Sequence, residues 1–223
     1  MDFAKWLNSL DEVLFEVMSW LVFFPLTLAR AIVWPLGTME YANRELHDRE
    51  ALQFDDTLSP PLFLLVALLL SHAFELAVGQ GDNPIVDDTH GLAGLVNDDG
   101  SLLVLRLLFF SLFPLMLATR LVWARGQRLT RPRLKAPFYA QCYATAPFAL
   151  VLGAGTTLAT TQGPVAAPVG AALILAAVIW FVVVEVRWFQ RHLPAGLLSA
   201  CWSATLGIVS ASVGAFSLGH LFT

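Results

Sequence analysis

The sequence predicts an all-α fold, a polytopic transmembrane helix bundle of five spans preceded by amphipathic or re-entrant N-terminal helices, with six spans as the alternative. Three observations predict it. Hydrophobic residues fill 57% of the 223 positions and charged residues only 13%, where a soluble domain carries about a quarter charged. Mean hydropathy is correspondingly high, at +0.68. Five segments, near 61–79, 102–123, 138–160, 165–186 and 195–222, each supply the roughly 20 mostly apolar residues that a hydrocarbon slab requires.

The connections between these segments carry the topology. "RLVWARGQRLTRPRLK", Arg120 to Lys135, packs six basic residues into one short loop, and Arg187 and Arg191 flank another. "GQGDNPIVDDTHGLAGLVNDDG" contains no Lys or Arg, and "TTQGPVAAP" no charge at all. The positive-inside rule then places the arginine-rich loops in the cytoplasm and the acidic loop outside, with a cytoplasmic N-terminus and an outward C-terminus. The opening "MDFAKWLNSLDEVLFEV" lacks a basic n-region and a cleavage site, so no cleavable signal peptide is expected. Cys142 and Cys201 sit in apolar runs and read as free thiols.

Residues 1–60 divide from 61–223 by composition. From Trp6, apolar residues recur at Leu10, Leu14, Val17, Leu21 and Leu28 with acids on other faces, the stripe of a helix lying in the membrane interface. Pro25 and Pro35 interrupt the more apolar second half, predicting two interfacial or re-entrant helices, with a sixth span over 13–36 as the other reading. The polar run "TMEYANRELHDREALQFDD" predicts a short helix after them. Four basic residues oppose ten acids in this arm, so it is not a polybasic membrane anchor. In "DDTLSPP", Asp56, Thr57 or Ser59 is expected to cap the first span, whose prolines are tolerated in its opening turn.

Three ionisable residues stand inside hydrocarbon-like sequence and form the candidate site: His72, Glu75 and Arg106. Counted back from Gly79, Glu75 lies roughly 6 Å below the outer end of its helix. Arg106 reaches nearly the same depth on the next, antiparallel span. An isolated charge in lipid is costly, so the two are expected to pair or snorkel, or else to line a polar pathway. His72, one turn deeper, either bonds a helix carbonyl or serine or joins such a pathway as its pH-sensitive member. Glu185 and Arg187 are expected to snorkel at the inner boundary, where Trp188 and Phe189, with Arg120, Trp123, Tyr139, Tyr143 and Trp202, form an aromatic and basic belt.

The last span repeats small residues every seven positions: Ala200, Gly207 and Gly214, and Ser203, Ser210 and Ser217. In lipid such a face marks a helix-packing interface, whose partner is either in this chain or in a second copy. The outer acids Asp82, Asp87, Asp88, Asp98 and Asp99, with His90, do not follow calcium-loop spacing and read as solvated. No phosphate loop, zinc-protease helix or nucleophile, base and orienter set occurs, so neither enzyme activity, cofactor nor metal is expected. The partners expected are the lipid bilayer and a membrane protein or second copy, with no nucleic acid.

The stretch "FDDTLSPPLFLLVALLLSHAFEL" and the five-span topology over residues 54–223 resemble the Yip family of Rab-interacting membrane proteins, and still more its bacterial relatives that carry a "permease" label. The resemblance implies a bacterial inner-membrane protein of Yip-like fold. Eukaryotic members have an Asp-Leu-Tyr-Gly-Pro-like motif before the first span, and "DTLSPP" shares only its acid and proline, so Rab binding does not carry over. The expected function is a non-enzymatic scaffold or accessory subunit, the alternative a small permease or channel in which His72, Glu75 and Arg106 line the route.

Overall fold

The computed structural model describes residues 3–49, 53–78, 99–161, 164–194 and 196–220. Seven helices follow in order: α1 Phe3–Val33, α2 Pro35–Glu45, α3 Pro60–Ala77, α4 Asp99–Ala124, α5 Arg131–Thr160, α6 Ala166–His192 and α7 Leu197–His220. All but α2 contain a stretch long and apolar enough to cross a membrane. The chain is a polytopic helical membrane protein. Helices satisfy their own backbone groups, which is the condition for entering a medium without water.

The five expected C-terminal spans coincide with α3 to α7. The N-terminal arm differs from expectation, because Pro25 lies inside one continuous helix and the break falls at Trp34 instead. Pro35 is the cause: it opens α2 and drives the preceding residue out of the helical region, to φ −127° and ψ 60° at Trp34. At Pro25 only one hydrogen bond is lost and the helix continues. α1 meets α3 at its first turn, where the Phe24 and Phe63 rings pack 5.3 Å apart. Phe15, Ser19 and Phe23 border a groove with residues 53–59, so this part of α1 passes across the base of α3.

α5 is the hub, packing on α2, α3, α4 and α6, while α7 closes the bundle against α4 and α6. Its run of alanine, glycine, threonine and Cys142 permits these close approaches, which replace the hydrophobic effect as the packing force in lipid. At Gly155 and Gly170 the backbones of α5 and α6 nearly touch: a Cβ on Gly170 would lie 2.3 Å from the Ala159 amide nitrogen and 2.6 Å from the Gly155 carbonyl. The turn after α4 closes with Gly126 at φ +67°, its N–H bonding the Trp123 carbonyl and the next N–H bonding that of Val122. This left-handed cap is open to glycine at no steric cost.

Residues 54–58, just before α3, are tied down by polar contacts at the arginine-rich end of the bundle. Tyr143 Oη donates to the Leu58 carbonyl at 2.8 Å, and the Leu58 N–H donates to Thr27 Oγ1 at 3.2 Å. Tyr41 Oη and Arg30 Nη1 donate to the two oxygens of Asp56, at 2.5 and 2.8 Å. Phe54 takes φ 62°, a left-handed conformation costly for a side chain of this size, and it is held by a Glu45 hydrogen bond at 2.7 Å and by the Tyr41 and Tyr139 rings. The expected side-chain cap of α3 is absent: Ser59 occupies the cap position without a capping bond. Pro60 and Pro61 have no N–H to cap, which frees Asp56 and Thr57 for the tie.

Two measurements test this packing. Gly170→Ala should destabilise the bundle by about 1–3 kcal/mol through backbone displacement, read as an earlier unfolding midpoint in detergent. Gly196→Ala, where a Cβ meets open space, should leave the midpoint unchanged. For the tie, the Tyr41 hydroxyl and then the Arg30 guanidinium hold the Asp56 carboxyl below the usual range. Its stabilisation is therefore complete above the ordinary aspartate value and is lost as pH falls through the depressed folded value. Protection factors for amide exchange at Thr57 and Leu58, corrected for the intrinsic rate at each pH, should stay high down to the ordinary carboxylate range and fall below it, whereas Asp56→Asn should show lower protection at neutral pH with no such step.

Candidate functional site

The intramembrane polar residues come from α3 and α4, antiparallel neighbours joined by the acidic loop. Helical spacing puts Ser71, His72 and Glu75 on the side of α3 that faces the bundle, and Arg106 enters α4 at the same depth from the same end. Arg106 Nη2 donates to Glu75 Oε2. His72 Nδ1 lies 3.5 Å from the same oxygen, at the outer limit of a hydrogen bond, while its Nε2 is buried without a partner among the described residues. The Glu75 and Arg106 side chains are 18% and 22% exposed, so the pair is neither sealed nor freely solvated.

A cavity of about 170 Å³ opens beside the pair, bordered by Ser71, Gly153, Thr156 and Thr157. Gly153 makes room for Ser71, since a Cβ there would stand 1.9 Å from its hydroxyl oxygen. Deeper in the bundle three rings close the interior. Phe148 stacks on Phe181 at 4.4 Å, and Phe113 meets them at 5.7 and 6.1 Å.

Beyond this aromatic cluster lies a second polar pair. Gln141 Nε2 donates to Glu185 Oε2 at 2.8 Å, and both residues are fully buried between α5 and α6. The remaining side-chain oxygens of both, Thr145 Oγ1 and Trp188 Nε1 have no hydrogen-bond partner among the described residues. This corrects the expected snorkelling of Glu185 and the expected belt position of Trp188, Phe189 and Tyr143, all of which are buried. Rotation about α6 decides it: Ala177, Phe181, Val184, Glu185 and Trp188 form one helical stripe against α5, whereas Arg187 points outward. That periodicity was the signal in the sequence; closeness to the membrane boundary was the weaker guide. Trp123 and Trp202 are exposed, as a belt requires.

The small-residue face of α7 packs within the chain, against α4. Ala200, Ser203 and Gly207 are buried, and a Cβ on Gly207 would stand 2.7 Å from Leu117 Cδ2; Gly214 faces Leu112 at 3.5 Å. Ser210 and Ser217 do not join that face and are exposed, while Ala204 and Ala211 take their place. A straight helix drifts about 20° per heptad, which carries the later serines off the contact. Among the described residues no group of three or more His, Cys, Asp or Glu side chains is placed to hold a metal ion. Asp82, Asp87, Asp88, His90 and Asp98 lie outside the described residues. Cys142 and Cys201 are free thiols.

Chemically, the cluster at Glu75 neutralises charge within the membrane. Leaving either member alone should cost less than the about 2.5–3.5 kcal/mol that insertion scales assign to a charge at the bilayer centre, because the pair lies near a membrane face. We therefore expect Glu75→Gln and Arg106→Gln each to lower the unfolding midpoint, and the double substitution to recover part of either loss. Additive losses in this double-mutant cycle would show that the pair is not coupled.

Comparison with protein-family models, with curated proteins and with solved structures finds no match to this chain.

Proposed function

We propose that the chain is a non-enzymatic integral membrane scaffold or accessory subunit of Yip-like type, seated in a bacterial inner membrane and docking a membrane-protein partner or a second copy. The observation that carries this reading is the separation of its two polar pairs. Glu75 bonds Arg106 at one end, Gln141 bonds Glu185 toward the other, and the Phe113, Phe148 and Phe181 rings stand between them. A solute or proton route needs wet groups in sequence across the slab. Two separate polar pairs divided by packed rings are better suited to bracing helices. The arginine-rich loops would face the cytoplasm, with residues 34–49 and 53–59 folded against that end.

A small permease or channel is the second reading, favoured by the cavity of about 170 Å³ at Glu75 and Arg106. Proteoliposomes separate the two. For a scaffold, proton and small-solute flux should equal that of empty liposomes in both the wild type and Glu75→Gln, and the chain should migrate in mild detergent as a complex larger than one copy. Flux that Glu75→Gln abolishes, from a chain running as an isolated single copy, would transfer the assignment to the permease.

A further inference from the structure

A second, larger recess lies away from the polar pairs, where the α1–α2 junction faces the outer side of α6. It encloses about 550 Å³. Its wall on α6 is one helical stripe, Trp180, Val183, Val184, Arg187 and Arg191, and its opposite wall is the corner around Trp34. A neighbouring recess of about 200 Å³, almost wholly apolar, shares Ile32 and Trp180 with it and continues past Pro147 to Ala176. Together they make one groove along α6. From Arg191 to Ala176 it spans about 22 Å at 1.5 Å per residue, somewhat more than one leaflet of a hydrocarbon core about 30 Å thick.

The groove has a head and a tail. Arg187 and Arg191 sit one turn apart at its end, both exposed, and neither is in an ion pair among the described residues. Glu40 of α2 is engaged by His192 Nε2 at 3.1 Å. Trp34, 69% exposed, stands at the same level, the place where an amphipathic ring meets headgroups. Past the arginines the lining side chains are apolar, from Val183 and Trp180 to Pro147 and Ala176.

We propose that this groove binds an anionic phospholipid from the leaflet at the arginine-rich end, its phosphate on Arg187 and Arg191 and one acyl chain along α6. Two guanidiniums with no ion pair among the described residues, beside a mostly apolar slot, complement a headgroup of net negative charge on a hydrocarbon chain, whereas a zwitterionic lipid offers a phosphate whose attraction its own ammonium offsets. Basic recesses between helices at the cytoplasmic side are a recurrent way of holding anionic headgroups. The inference does not depend on the scaffold reading.

The test uses the full chain in phosphatidylcholine nanodiscs containing a small fraction of bromine-labelled lipid, which quenches tryptophan on contact. Brominated phosphatidylglycerol should quench more strongly than brominated phosphatidylcholine at equal fraction. Trp34→Phe/Trp180→Phe should remove that difference, because the reporters lie in the groove. Arg187→Gln/Arg191→Gln should reduce the preference by roughly fivefold per arginine, while quenching by phosphatidylcholine persists. In the unaltered chain the preference should also shrink as salt rises, a readout that needs no substitution. Equal quenching by the two lipids in the wild type, or a preference indifferent to both salt and the arginine substitutions, would overturn the proposal and leave the groove to an apolar partner helix.

Discussion

The near-contact of α5 and α6 at Gly155 and Gly170 governs the rest of the bundle. In lipid the hydrocarbon outside is as apolar as any side chain inside, so helices associate only where their surfaces fit closely. Two glycines facing one another bring the backbones together, and the closeness propagates along both helices. It sets Phe148 on Phe181 and brings Gln141 within reach of Glu185. α5, pinned on that side, offers its other faces to α3 and α4.

Charge follows the same economy. Within the spans of α3 to α7 each acid among the described residues bonds a polar side chain of a neighbouring helix: Arg106 for Glu75, Gln141 for Glu185. The pairs differ in kind. The first is an ion pair near a membrane face, with some access to its surroundings. The second is a carboxyl group against a neutral amide in the fully buried interior, where an ionised carboxylate would be poorly compensated.

Much of this architecture was legible in the chain, for reasons that particular residues make plain. The five C-terminal spans follow from length and apolarity alone, and the meeting of Glu75 with Arg106 follows from two antiparallel helices sharing one loop. Glu185 was misplaced because its distance from Arg187 suggested an interface, whereas the stripe from Ala177 to Trp188 fixes which way it turns. The break at Trp34 was anticipated at Pro25 as well, since a proline in isolation does not reveal whether a helix continues through it. The small residues of α7 announced a contact but not its owner, because Leu112 and Leu117 reach that face only through the tertiary arrangement.

The phenylalanine cluster has an electrical consequence. A transmembrane voltage acts on a protein through the charge it can displace, about 2.3 kcal/mol per elementary charge per 100 mV. Phe113, Phe148 and Phe181 form an insulating layer between the polar groups on either side, and the ion pair above them is a dipole of no net charge. Among the described residues these three rings carry no charge for the field to move, so a voltage acts on the pair above them only by orienting its dipole.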